Sequence, residues 1–213
     1  MSQLDFVVTG ARPDRTALTP ILHLPLEITV ADDVDVQSIS LRCQIRIEPD
    51  QRRYDGEEQL RLIDVFGAPH RWSDTLKPFL LTHVTLPVRG FRGTGEVVLP
   101  LELSYDLEVA AGKYLHALRG GEVPLLLLFS GTLFLRGSDG QLQVEQIPWD
   151  REARYRLPIS VWDELMDLHF PGTGWLRVRR ETIDALQAYK SRHALPTWDA
   201  TLEQLLAAQE LRR

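Results

Sequence analysis

From Ser38 to Glu48 the chain alternates without a break. Ile39, Leu41, Cys43, Ile45 and Ile47 are apolar, while Ser40, Arg42, Gln44, Arg46 and Glu48 are polar. Alternation of period two over this length predicts a strand with one buried and one wet face. It places Cys43 on the buried face, where a free thiol packs as a small, inert hydrophobe. A looser form of the pattern predicts strands over residues 4–9, 22–30, 81–88, 95–105, 124–136 and 141–147, the first two as a pair. The segment GSDG at 137–140 has the residues of a hairpin turn between the last two. Leu125 to Phe129 does not alternate, which predicts a strand covered on both faces, in a sandwich or under helices.

Helical spacing takes over later in the chain. A short helix is predicted over 57–65 and a longer one over 107–118, closed by Gly120 and Gly121. Ser160 reads as the cap of the helix in SVWDELMDLHF, with Asp163 in the acidic position of a capping box, and Pro171 with Gly172 ends it. Ile183, Leu186 and Tyr189 then mark one side of a further helix. Thr197 caps a last helix whose stripe is Trp198, Leu202, Leu205 and Leu206. Pro196 separates the two, which predicts a helical hairpin laid on the sheet or on a partner. The fold class is therefore α+β, one domain over 1–213. An antiparallel β-sandwich-like core fills 1–150, and a mainly helical part follows over 151–213.

One stretch tests for phosphate chemistry. RGFRGTGEVVL, residues 89–99, carries Gly90, Gly93 and Gly95 between apolar runs. A phosphate-binding P-loop needs a lysine and a hydroxyl after its last glycine, and here Glu96 follows. A dinucleotide fingerprint must open a helix, whereas EVVLPLEL reads as a strand. The stretch is read as a hairpin loop in which glycine supplies positive φ.

Composition narrows the class further. A chain of 213 residues with 44% hydrophobic and 25% charged residues needs no disulfide or metal to hold a core. The single cysteine excludes an internal disulfide and a cysteine-based zinc site, and suits a reducing compartment. The start, MSQLDFVVTGARPDR, lacks a basic stretch leading into an apolar core, so no secretory signal is expected. The longest apolar run, VPLLLLF at 123–129, is far short of the roughly 20 residues of a membrane-spanning helix. A cytoplasmic protein is expected. The net charge of −6 argues against nucleic acid as a partner.

The chemistry-bearing residues are dispersed. None of the six histidines stands in metal-ligand spacing, and neither metal nor cofactor is expected. His70 and Asp74 in APHRWSD read as a polar loop around a buried Trp72. Lys113 and His116 lie one helical turn apart and read as a helix rim. Ser130 sits inside a strand, without the G-x-S-x-G elbow of a hydrolase. Aromatic weight gathers instead in the last third: Trp149, Trp162, Trp175 and Trp198. Tryptophan serves both core packing and interaction hot spots. With Leu202 and Leu205, these four are the protein-binding candidates.

Several idiosyncratic stretches also carry a resemblance. They are CQIRIEPDQRRYD at 43–55, VFGAPHRW at 65–72, YDLEVAAGKYLHAL at 105–118, GEVPLLLLFSGTLF at 121–134, PW at 148–149 and LPISVWDELMDLHFPGTGW at 157–175. Together they resemble an uncharacterised bacterial family encoded near actinobacterial-type [NiFe]-hydrogenase genes. The resemblance runs from about residue 5 to residue 206 and brings no active site with it. It implies an accessory role in hydrogenase maturation or assembly, with hydrogenase subunits as partners. Two readings follow. One is a non-enzymatic protein-binding accessory factor, with a homo-oligomer left open by the stripe of the last helix. The other is an enzyme or small-ligand binder whose site assembles from His70, Asp74, Tyr105, Lys113 and His116.

Overall fold

The computed structural model describes residues 4–31, 34–103, 111–137, 140–172 and 178–210. They fall into two compact units, 1–171 and 172–213.

The first unit is a mixed α+β body of two antiparallel sheets packed together. In the first sheet β3 (Ile21–Val30) is central. It pairs along one edge with β6 (Thr94–Glu102), and β1 (Leu4–Val8) and the short β2 (Arg12–Pro13) share its other edge. In the second sheet the order is β5 (Phe79–Arg92), β4 (Asp35–Ile47), β7 (Glu122–Arg136). The far edge of β7 is shared by β8 (Leu142–Gln146) and β9 (Glu152–Pro158). The alternation of residues 38–48 becomes β4, and its apolar set turns inward as expected. Leu41, Cys43, Ile45 and Ile47 are sealed from solvent, facing inward residues of the first sheet such as Leu24 and Ile28 in one continuous core. Phe6 of the edge strand β1 stacks on Phe129 of β7, ring centroids 4.0 Å apart, and ties the two sheets together there.

Beyond the sheets, α1 (Gly56–Arg61), α2 (Ile63–Phe66) and α3 (Trp72–Thr75) form between β4 and β5, and α4 (Ala111–Ala117) precedes β7. The helix expected over 107–118 is seen as α4; its first part, 107–110, lies outside the described residues. So do Ser138 and Asp139 of the GSDG turn, although the β7–β8 pairing that the turn predicts is present. The second unit contains α6 (Arg180–Arg192) and α7 (Trp198–Glu210). Thr197 caps α7 as expected, its Oγ1 accepting from the Ala200 amide at 3.1 Å.

Three local expectations are corrected. First, the glycine stretch is a turn at Gly93, φ +64°, but not a hairpin. The flanking strands β5 and β6 belong to different sheets, so the chain crosses the sandwich there. Second, residues 152–158, within the part expected to be mainly helical, form a strand. Third, α5 (Ile159–His169) takes no cap from Ser160 or Asp163. It begins straight from β9, with Pro158 at the cap position and no side-chain cap bond. The Ile159 amide donates instead to the Gly121 carbonyl at 2.9 Å.

Gly131 in mid-β7 is the position where glycine is required. Its φ is +139°, and a Cβ there would lie 2.0 Å from the Ser40 carbonyl oxygen. Gly131→Ala combines a left-handed backbone with a backbone clash, and we expect it to cost about 2–4 kcal/mol, read as a lower urea midpoint at unchanged slope. Burial of Cys43 pushes its thiol from 9.0 up to about 12. The folded state thus holds this proton more tightly than the unfolded chain. Its contribution to stability is complete below about pH 9 and is lost as pH rises towards 12. Iodoacetamide at pH 8 should leave the native thiol unlabelled and label it fully in denaturant.

Candidate functional site

The strand pairs β7–β8 and β7–β9 run in the same sense, so β8 and β9 are one interrupted strand along a single edge. Gln146 faces Thr132, and Glu152 faces Leu128. Five residues of the edge strand therefore span three of β7, a wide bulge. Both ends are tied down: the Ile147 amide donates to the Gly131 carbonyl at 2.9 Å, and the Phe129 amide donates to the Arg151 carbonyl at 3.0 Å. The Arg151 amide closes a turn on the Pro148 carbonyl at 3.2 Å. Arg151 anchors the bulge across to the first sheet. Its Nη1 donates to the Leu4 carbonyl at 3.1 Å and to Asp5 Oδ1 at 3.3 Å. The Asp150 carboxylate lies 3.4 Å from its Nε, without hydrogen-bond geometry. At the crest of this rigid insertion stands Trp149, 94% exposed. Bulges re-aim side chains, and this one turns a tryptophan out of an edge strand whose own apolar residues, Leu142 and Val144, also face solvent.

The remaining tryptophans are placed differently. Trp162 on α5 is 6% exposed and belongs to the core. Trp175 lies outside the described residues. Trp198 opens α7 and is 43% exposed, with the Lys190 ammonium 5.9 Å from its ring centre. Leu202 is 38% exposed, Leu205 half-buried and Leu206 exposed. On α6 no residue is buried, and Ile183 is exposed. The two helices thus keep the apolar stripe the sequence shows but do not bury it.

The most densely bonded polar cluster of the first unit lies around Arg52 and Glu58. Asp55 caps α1 in a capping box with Glu58. Glu58 Oε1 then accepts from Arg52 Nη2 at 2.5 Å and from the Arg119 amide at 2.9 Å. Arg52 donates further to the Gly120 carbonyl at 2.8 Å and the Glu122 carbonyl at 3.1 Å. The side chains are only 10% and 5% exposed. Beside them the Tyr54 and Tyr114 hydroxyls meet at 2.9 Å, and Tyr54 donates to the Pro49 carbonyl at 2.7 Å. Burial, and then the facing Tyr114, raises the Tyr54 phenol far above its usual value; burial pushes Tyr114 up to about 12. Both stay neutral. Phe66, Trp72 and Phe79 close edge-on or tilted around them. Trp72 is buried, as read from the sequence, its Nε1 donating to the Gly67 carbonyl at 2.9 Å. Every partner in this cluster is internal, so it fastens α1 and the turn after α4 to the start of β7.

The alternative polar set does not converge among the described residues. His70 and Asp74 are exposed on the short helical segment 69–75, and Lys113 and His116 are exposed on α4. Tyr105 lies outside the described residues. His116 stands edge-on to Trp162 with centroids 5.7 Å apart. Burial, and then the neighbouring Asp167, raises the carboxyl of the next residue, Asp163. Among the described residues no three His, Cys, Asp or Glu side chains gather as a metal site. Nor is any helix long and apolar enough to cross a membrane. The sequence signal for the bulge was present but unread: Ala153, Tyr155 and Leu157 alternate with Glu152, Arg154 and Arg156 directly after PWD.

Fold and site together define a two-sheet antiparallel α+β protein that displays an aromatic side chain on a sheet edge. The chain belongs to the family of unknown function DUF6084, whose model matches residues 1–213. A comparison with curated proteins found no match. Among solved structures, the chain is similar to part of a β-glucosidase from Kluyveromyces marxianus, at 9% identity and a TM-score of 0.27. That match covers 73% of this chain and spans 15% of the β-glucosidase. A candidate late embryogenesis abundant (LEA) protein is similar at 11% identity and a TM-score of 0.29, covering 73% of this chain and 72% of that one.

The internal cluster has a direct test. Glu58→Ala leaves Arg52 nearly buried without its counter-charge, a change expected to cost about 3–5 kcal/mol. Urea unfolding should show that loss, and Glu58→Gln should lose less by keeping an acceptor for the Arg119 amide.

Proposed function

We propose that this protein is a non-enzymatic, protein-binding accessory factor. The observation that carries the reading is Trp149. It stands 94% exposed on a bulge hydrogen-bonded at both ends and anchored by Arg151. An exposed tryptophan on rigid backbone offers large apolar area at little entropic cost on binding, the usual make-up of a hot spot. The unburied stripe of α7, Trp198 and Leu202 with Leu205, supports the same reading. The narrower form is a factor in [NiFe]-hydrogenase maturation or assembly, which the resemblance of the stretches 43–55 and 157–175 implies.

The test is affinity purification of the tagged full chain from its native host, with mass spectrometry, beside the Trp149→Ser variant. Hydrogenase subunits should co-purify with the wild type and be lost from the variant. Thermal stability of the variant should stay within about 0.5 kcal/mol, as for other exposed positions. Recovery of the bait alone, or equal capture by both proteins, sinks the reading. Trp162→Ala is the contrasting control: as a core residue it should cost about 3–5 kcal/mol.

A further inference from the structure

We infer that the outer face of the second sheet docks an acidic segment of another protein. The inference rests on the binding role above and adds the chemistry of the partner. The strand registers put Arg42, Arg89 and Arg156 on this face, level with Ser130, Ser38 and Pro124 respectively. All three are exposed. Among the described residues, no carboxylate pairs with any of them. Two more arginines of the face make their hydrogen bonds to neutral groups, although Arg136 also stands opposite the Asp35 carboxylate. Arg46 donates to the Pro78 carbonyl at 3.4 Å, and Arg136 donates to Gln37 Oε1 at 3.3 Å. Among the described residues of this face, Arg92 forms an ion pair with Asp35 at 2.7 Å, and Arg154 with Glu48 at 3.1 Å and Glu152 at 3.4 Å.

This basic surface occurs on a chain of net charge −6, so the charge is segregated rather than scarce. Leu80, Val144 and Leu142 interleave with the arginines on the same face and are exposed. Three inter-strand spacings by about a dozen residues give a face of roughly 600 Å², at the lower end of the roughly 600–1,000 Å² per partner of a stable protein interface.

Charge complementarity selects the occupant. An isologous dimer through this face would bring one arginine-rich patch against another, so a second chain fits it less well than an acidic segment. A nucleic acid strand would need a run of stacking platforms, and among the described residues the face offers half-buried Phe134 and exposed His83, on strands separated by β4. Carboxylates spaced among apolar side chains match both the guanidinium forks and the leucines.

The experiment uses the full chain and a fluorescent peptide of alternating Glu and Leu, with a single-stranded oligonucleotide and anionic lipid vesicles as competing probes. Anisotropy should show saturable peptide binding that weakens as salt rises from about 50 to about 500 mM. The variant Arg42→Glu/Arg89→Glu/Arg156→Glu should bind at least tenfold more weakly, while Lys113→Glu on α4 changes affinity less than twofold. Circular dichroism checks folding, and the corresponding Arg→Gln triple variant serves if the Glu variant does not fold. Unchanged affinity in the triple variant overturns the inference. So does tighter binding of the oligonucleotide or the vesicles, or self-association that the triple variant abolishes. Trp149→Ser separates the two readings. If it loses the captured partner while the arginine variant keeps it, the binding role stands and the acidic partner does not.

Discussion

Strand β7 is fifteen residues long, Glu122 to Arg136, and its outer edge is served by two short strands rather than one. The rest of the second sheet follows from that arrangement. On its inner side β7 pairs with β4 along the whole length of β4, from Asp35 to Ile47. On its outer side β9 covers 122–128 and β8 covers 132–136. The residues between must satisfy their backbone groups elsewhere. They do so by bonding the two ends of the bulge, at Gly131 and Phe129. Gly131 has the backbone conformation that this crossing demands, and Phe129 carries the stack onto Phe6 from the opposite sheet. The aromatic stack between the sheets and the display of Trp149 thus share residues 129–131 of β7.

The other end of β7 is secured by a different kind of contact. Arg52, from the segment after β4, reaches the carbonyls at 120 and 122, and Glu58 receives it from α1. A buried ion pair adds little net stability over an apolar pair of the same shape, but breaking one partner is costly. Its contribution here is positional. It sets where the chain leaves α4 and enters the long strand, and so the register from which the bulge is counted. The tyrosine pair and its aromatic surround fill the space beside it with groups that stay neutral.

Much of this fold is legible in the residues. The alternation from Ile39 to Ile47 fixes the burial of β4, and Thr197 and the stripe after it mark α7. The helix at 159–169 is found but its start is misread, because Ser160 and Asp163 imitate a capping box where β9 in fact feeds the helix directly. The loss of β9 has a physical cause. Its inward residues, Ala153, Tyr155 and Leu157, are separated by a glutamate and two arginines, and PWD in front of them reads as a chain break. Strand β8 misleads in the opposite way. Its apolar Leu142 and Val144 point outward, opposite Arg136 and Phe134, so periodicity marks the strand but assigns the wrong face. Of the named tryptophans, sequence alone could not separate Trp162, which packs inside, from Trp149, which stands clear. Only the count of residues against β7 does that.

The distribution of charge follows the same logic as the distribution of tryptophan. The cationic residues are almost all arginine, and the second sheet sets them on its outer strands opposite serine, threonine and proline more often than opposite acids. No two arginines of this sheet stand directly opposite each other, so the register avoids like-charge pairs across neighbouring strands. Core packing on the inner side holds β4 and β7, Arg42, Arg89 and Arg156 have no carboxylate partner among the described residues, and a tryptophan marks the adjoining edge. Arginine and tryptophan are among the residues most enriched where proteins hold one another, and here β4 and β9, which carry Arg42 and Arg156, and the bulge that carries Trp149 all pair with β7.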